Sequence, residues 1–195
     1  MNAPQLYLAS GSPRRRELLQ QLGLSFQVLP VDVDERPRAG EDPAAYVLRV
    51  ARDKAEAGLR AAGREAERPV LAADTAVVLE GRILGKPRGR GDALQMLAAL
   101  SDREHWVFSG VAVHSRRRRA EALSRTRVRF GPVPPQVAEA YWETGEPVDK
   151  AGAYAIQGRG AVFVARIDGS YSGVMGLPLY ETADLLAAFG VAVLG

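Results

Sequence analysis

The sequence contains no cysteine. Disulfides and thiolate metal sites are therefore excluded, and a reducing compartment, the cytoplasm, is the simplest setting. No apolar run approaches the roughly 18 residues that would mark a transmembrane helix, so no membrane partner is expected. Residues 1–10 also lack the charged start and long apolar stretch of a signal peptide. Histidine occurs only at His105 and His114, too few and too far apart for a zinc motif. There is no P-loop and no nucleophile elbow. Lysine is scarce as well: of the 26 basic residues, only Lys54, Lys86 and Lys150 are lysines. A lysine is a compact point charge on a flexible stem, whereas arginine is a planar fork. A site needing one ammonium would resist replacement by arginine; chance retention is the alternative.

What is present fits one globular domain over 1–195. The 195 residues are 47% hydrophobic and 25% charged, enough for a sizeable core. The net charge of +3 suits an anionic ligand but is too small to establish nucleic-acid binding. Strand-like and helix-like segments alternate, which predicts an α/β fold with a mixed sheet and flanking helices. A strand over 6–9 runs into the loop Ser10-Gly11-Ser12. A helix opens at Pro13 with Ser12 as its cap and stops near Gly23. A strand over 26–30 and a polar loop over 31–41 follow. Asp42 and Pro43 open a helix whose apolar stripe is Val47, Val50, Ala51, Ala55 and Gly58. Strands are expected over 70–79, 82–84, 105–115, 120–130, 153–157 and 161–167, and helices over 92–100, from Pro134-Pro135 to near Gly145, and over 179–189.

Four places look chemical. The loop at Ser10 and the helix start bring free N–H groups and the positive dipole end together. Arg14 and Arg15 in that first turn oppose the dipole, which a bound polyphosphate would explain; an exposed basic helix start would look the same. Asp74 is a carboxylate inside the apolar run 70–79, on the face of Val70, Ala72, Ala76 and Val78, with Thr75 pointing the other way. Such a group is costly unless it is paired or binds a metal, and functional sites are where that cost is tolerated. Lys54 falls on or beside the apolar stripe of its helix, where it either reaches water or meets an anion. Lys86 and Lys150 each sit in a loop beside a strand end. Asp32, Asp34 and Glu35 share a loop, and hard oxygen ligands suit Mg2+. Arg125, Arg127 and Arg129 alternate along a strand with one wet face, and Arg116 to Arg119 form its turn; no aromatics interleave with them in sequence to make a single-strand RNA site.

Together these segments resemble the Maf family of nucleotide pyrophosphatases. The stretches LASGSPRRRELL, VDVDE, ARDKA, AADT, GKP, DKAGAYAIQG and GSYSGVMGLPL carry the likeness, in order and over nearly the whole chain. The resemblance implies a fold like that of the inosine triphosphate pyrophosphatases, two lobes around a nucleotide cleft. It implies hydrolysis of a nucleoside triphosphate to the monophosphate and pyrophosphate, with Mg2+ or, as an alternative, Mn2+. Asp74 matches the family's proton acceptor; Arg14, Thr75 and Gln157 match positions tied to substrate choice. Ser10, Arg15, Lys54, Lys86 and Lys150 match the phosphate side, and Glu35 with Asp74 the metal. A homodimer is compatible with the family.

Gln157 within IQG and Gly169-Ser170-Tyr171 look like the dTTP/UTP branch. The 7-methyl-GTP branch usually has Glu in place of Gln157 and Trp in place of Arg14. A neutral amide both donates and accepts, as the imide edge of a pyrimidine requires. Ala72 stands where Gly is common, and Ser109 where Thr is common; neither removes a proposed catalytic group. The rivals are a pyrophosphatase for 7-methyl-GTP or other modified nucleotides, and a non-enzymatic regulator of cell division or RNA using the 116–129 hairpin.

Overall fold

The computed structural model describes residues 3–63 and 67–194. Among the described residues seven strands form one mixed sheet. Strand β1 (Leu6–Leu8) runs parallel to β2 (Phe26–Val28) and β3 (Val70–Leu79). Strand β3 is antiparallel to both β4 (Arg82–Leu84) and β5 (Glu104–His114), and β6 (Arg119–Phe130) and β7 (Val164–Asp168) continue antiparallel. Helices α1 (Pro13–Gln21) and α2 (Pro43–Ala61) supply the crossovers that parallel neighbours require. The remaining helices are α3 (Arg90–Leu100), α4 (Pro135–Glu143), α5 (Tyr171–Met175) and α6 (Leu179–Ala187). Among the described residues no helix is long and apolar enough to cross a membrane.

Helix α2 begins where Asp42 and Pro43 predict. The Asp42 carboxylate accepts from the N–H groups of Ala44 and Ala45, both at 3.0 Å. Its stripe, with Lys54 in the middle, is buried against the sheet. Close approach is allowed by glycine: a Cβ on Gly110 would lie 2.7 Å from the Val47 carbonyl oxygen. Backbone cannot yield there as a flexible side chain can. Gly110→Ala is therefore expected to destabilise by about 2 kcal/mol, read as a fall in Tm of about 4–8 °C in thermal denaturation.

The other face of the sheet carries two apolar clusters. One joins α1, α6 and β1 to Leu71, Ala73, Val111 and Val113. The second joins α3 and α4 to Val77, Leu79, Val107, Val128 and Phe130. Between them the register sets Thr75 opposite Ser109 and Ser109 opposite Ser124, so a row of hydroxyls divides one apolar surface into two. Both clusters pack on one sheet.

Three expectations change. Residues 153–157 form no strand: Gly152 and Ala153 take left-handed φ of 67° and 59°, which turn the chain out of any extended run. Residues Arg159–Phe163 are a 3-10 turn, so the strand expected over 161–167 starts only at Val164. Helix α5 fills a stretch for which no element was expected; its cap, Ser170, accepts from Gly173 N–H at 3.0 Å. Ser12 does precede α1 but makes no side-chain cap bond.

Candidate active site

The site follows from how β3 is paired. On one edge it meets β5 along almost its whole length. On the other it meets β1 at Val70 and Leu71, then β4 from Val77 to Leu79. Among the described residues no strand pairs with 72–76 on that side, and a cleft of about 810 Å³ opens in the gap. Side chains from both faces of β3 reach it, which is why Asp74 and Thr75 line the same cavity although they point opposite ways.

All the site residues named from the sequence except Asp32 and Asp34 line this cleft. Ser10, Arg14 and Arg15 come from the β1–α1 loop and first turn; Glu35 comes from the 31–41 loop and Lys54 from α2. Lys86 follows β4, and Lys150 and Gln157 come from the segment between α4 and β7. Of the three acids Asp32, Asp34 and Glu35, only Glu35 arrives: Asp34 is turned to Arg36 at 2.8 Å, and neither it nor Asp32 reaches the cleft. What holds Glu35 is not legible in the residues around it. Tyr46 O–H donates to its carbonyl at 2.9 Å, and Arg49 donates to the Arg36 carbonyl at 3.1 Å and to Glu41 at 2.6 Å.

At the centre one ammonium serves two carboxylates. Lys54 Nζ lies 2.8 Å from Asp74 Oδ1 and 2.8 Å from Glu35 Oε1. Burial pushes the Asp74 carboxyl up, only partly offset by Lys54 and Arg15. Burial also acts upward on Glu35, but the hydrogen bond and charge of Lys54 outweigh it and hold that carboxyl below its ordinary range. The two acids are thus driven apart, Glu35 toward staying ionised and Asp74 toward accepting a proton. Asp74 Oδ2 is buried and has no hydrogen-bond partner among the described residues.

Arg15, buried, donates from Nε to the Gly176 carbonyl (2.8 Å), from Nη1 to Ser10 Oγ (3.2 Å) and from Nη2 to Thr75 Oγ1 (3.5 Å). Proton counting gives this network a direction. Ser109 Oγ donates to the Gly173 carbonyl at 2.7 Å, so its contact with Thr75 at 2.9 Å needs Thr75 as the donor. The order is Arg15 to Thr75 to Ser109 to Gly173. Thr75 therefore presents lone pairs, not its proton, toward Arg15. On the opposite wall Gly152 N–H donates to the Gly85 carbonyl at 3.1 Å, which ties the Lys150 segment to the Lys86 loop. Lys150 itself is paired with Asp149.

Among the described residues no three acidic or histidine side chains gather as a self-sufficient metal site. Glu35 and the free oxygen of Asp74 nonetheless fit a cation that takes only one or two carboxylates and draws its other ligands from phosphate and water.

A mixed sheet with flanking helices thus holds a carboxylate pair in a cleft lined by Lys54, Lys86, Lys150, Arg14 and Arg15. The chain belongs to the Maf family: the family model described as Maf-like protein matches residues 5–189. A dTTP/UTP pyrophosphatase of Methylococcus capsulatus is 55% identical over 96% of this chain and 92% of its own length. One from Saccharophagus degradans is 52% identical over 98% and 92%, and one from Nitrosomonas europaea 52% over 96% of each. Among solved structures, the Ham1 protein of Staphylococcus aureus aligns over 94% of this chain and 96% of its own, at 12% identity and a TM-score of 0.45. That likeness is too loose to carry an argument.

Proposed function

We propose that this chain hydrolyses dTTP and UTP to the monophosphate and pyrophosphate. The observation that carries the reading is Asp74: a buried carboxylate with one oxygen on Lys54 and the other unpartnered, at the wall of a cationic cleft. The names of the relatives supply the substrate.

In this reading the triphosphate lies along the β1–α1 loop, where N–H groups at the helix start and Arg15 meet its oxygens. Asp74 Oδ2 takes a proton from water as that water attacks the α-phosphorus and the bond to the bridging oxygen breaks. Arg15, Lys54 and Lys86 offset the charge that grows on the departing pyrophosphate. Lys150 adds to the same wall. Glu35 would hold Mg2+ or Mn2+, which supplies charge neutralisation and alignment of the phosphates; Asp74 Oδ2 would be a second ligand only in the alternative in which the metal, and not Asp74, activates the water. Gln157 and Arg14 face the base, and Thr75 acts on substrate choice through Arg15. A single domain over 1–195, a cytoplasmic setting and a homodimer go with this reading on the strength of the family resemblance.

The RNA reading gains one feature and loses another. Trp106 and Phe108 of β5 do interleave with the β6 arginines, Arg127 lying over Trp106 and Arg125 over Phe108. But Arg127 is paired with Asp168 at 2.7 Å and Arg129 with Asp102 at 2.8 Å, so two of the three charges are already met.

The test is pyrophosphate release from dTTP, UTP, CTP, ATP, GTP, 7-methyl-GTP, 5-methyl-UTP and pseudo-UTP, with Mg2+ and with a chelator. Turnover of dTTP and UTP at least ~10-fold above the purine triphosphates in kcat/KM is expected, and chelation should abolish it. Preference for 7-methyl-GTP would move the protein to the other branch. No release from any triphosphate would end the enzyme reading.

A further inference from the structure

Gln157 lies on a segment with no strand partner among the described residues. A ladder would have fixed its place; here the chain runs from a left-handed Ala153 through buried Tyr154, Ala155 and Ile156 to an exposed Gln157 at the cleft. Backbone in such a segment needs another source of hydrogen bonds. Two side chains provide it from behind, and neither lines the cleft. Tyr141 of α4 accepts from Ala155 N–H at 3.1 Å and donates its own proton to Glu146 Oε1 at 2.7 Å. Glu146 accepts further from Arg159 N–H at 2.9 Å and Gly160 N–H at 3.0 Å. The segment closes on itself through Gly158 N–H to the Ala155 carbonyl at 3.2 Å. Gln157 is thus gripped two residues before and two and three residues after.

The grip is also steric. A Cβ on Gly158 would sit 2.3 Å from Glu146 Oε2, and one on Gly160 would sit 2.6 Å from the Tyr141 hydroxyl. The carboxylate lies against the glycine turn with no room for a side chain between them. Its charge state suits the task. Burial pushes Glu146 up, but the Tyr141 hydroxyl and the two N–H groups hold it below its ordinary range, so it stays an acceptor with no proton of its own.

We infer that Tyr141 and Glu146 are positioning residues that hold Gln157 where a pyrimidine edge can be read, and that they govern discrimination between bases rather than the chemical step. The inference rests on the reading of Gln157 as the base-facing residue. An amide has a donor and an acceptor at opposite corners. Rotation about χ3 exchanges those corners, so discrimination depends on the distance and angle at which the amide meets the base, and these follow the backbone. A segment held in one place fixes that approach, and a base that fits it poorly leaves a polar group unpaired.

Tyr141→Phe and Glu146→Gln, each nearly isosteric, should be compared with wild type for UTP and CTP turnover, alongside thermal denaturation. The expected result is a fall of ~10-fold or more in the UTP-to-CTP ratio of kcat/KM, with kcat on UTP kept within about threefold. Because the two residues form one chain of hydrogen bonds, the double variant should lose little more than either single one. Variants that melt earlier but keep the wild-type ratio would overturn the inference and leave Tyr141 and Glu146 as scaffold. A wild type with no preference for UTP over CTP would instead overturn the substrate reading on which it rests.

Discussion

Asp74→Asn is expected to fold, to bind nucleotide, and to lose turnover by at least ~10³-fold, the range a general base supplies. Asparagine keeps the shape and can still accept from Lys54, but it cannot take a proton from water. Stability should move the other way. The Asp74 carboxyl is raised above its unfolded value, so the folded state binds its proton more tightly than the unfolded one does. Keeping it ionised therefore costs the folded protein stability as pH rises above the ordinary aspartate range, near ~4. The amide removes that cost, and Lys54 keeps Glu35 at 2.8 Å as its partner. At pH 7.5 the variant should melt at or above the wild-type temperature. An inactive but unfolded protein, or a folded one with near-full turnover, would each contradict the role assigned to Asp74.

Lys54→Met should damage both properties. Methionine fills the same space along the buried stripe of α2 but leaves Asp74 and Glu35 facing a common point with no cation. Removing one partner of a buried ion pair costs about 3 kcal/mol, or about 6–12 °C in Tm for a chain of this size. Activity should fall by ~10²–10³-fold in kcat/KM, as when one electrostatic contact to the leaving group is lost. The loss of stability has a definite pH dependence. Lys54 lowers the Asp74 pKa by its charge and by its hydrogen bond, so without it the folded-state value climbs further above the unfolded one. The penalty is then small near pH 4 and grows toward neutrality. Melting curves at pH 5 and pH 8 should differ more in the variant than in wild type. Added Mg2+ should restore part of the loss at pH 8, since a ligand that binds only the folded form stabilises it. Equal losses at both pH values would show that Lys54 packs rather than neutralises.

How much of this could be read from the residues depends on whether the signal is local. Lys54 was legible because helical spacing alone places it among Val47, Val50, Ala51 and Ala55. Asp74 was legible because a carboxylate in an apolar strand is conspicuous wherever that strand lies. The gap between β1 and β4 was not legible. Strand pairing is set by partners far away in sequence, and nothing within residues 72–76 announces that one of their edges lacks a neighbour. That gap is nonetheless what lets Asp74 and Thr75 share a cavity. The row of Thr75, Ser109 and Ser124 was hidden for the same reason, since only the register brings those hydroxyls abreast. Residues 153–157 misled: Ala-Tyr-Ala-Ile looks extended, and the left-handed turn at Ala153 carries no sequence mark because that conformation is held by tertiary contacts. Tyr141 and Glu146 stood in a helix and a turn, and their bearing on Gln157 appears only where the chain folds back.

The distribution of lysine has a chemical consequence of its own. Lys54, Lys86 and Lys150, the only side-chain amines in the protein, all open onto one cavity. The outer surface owes its positive charge to guanidinium groups, which do not react with acylating or carbonyl reagents as amines do. Apart from the α-amine, an amine-directed electrophile finds no decoy on the exterior. Each acyl or Schiff-base adduct it leaves on a lysine is an adduct on the lining of that cavity, and in the proposed function a bound triphosphate would stand in its way. The protein has in effect confined its lysine acylation chemistry to the lining of one cavity.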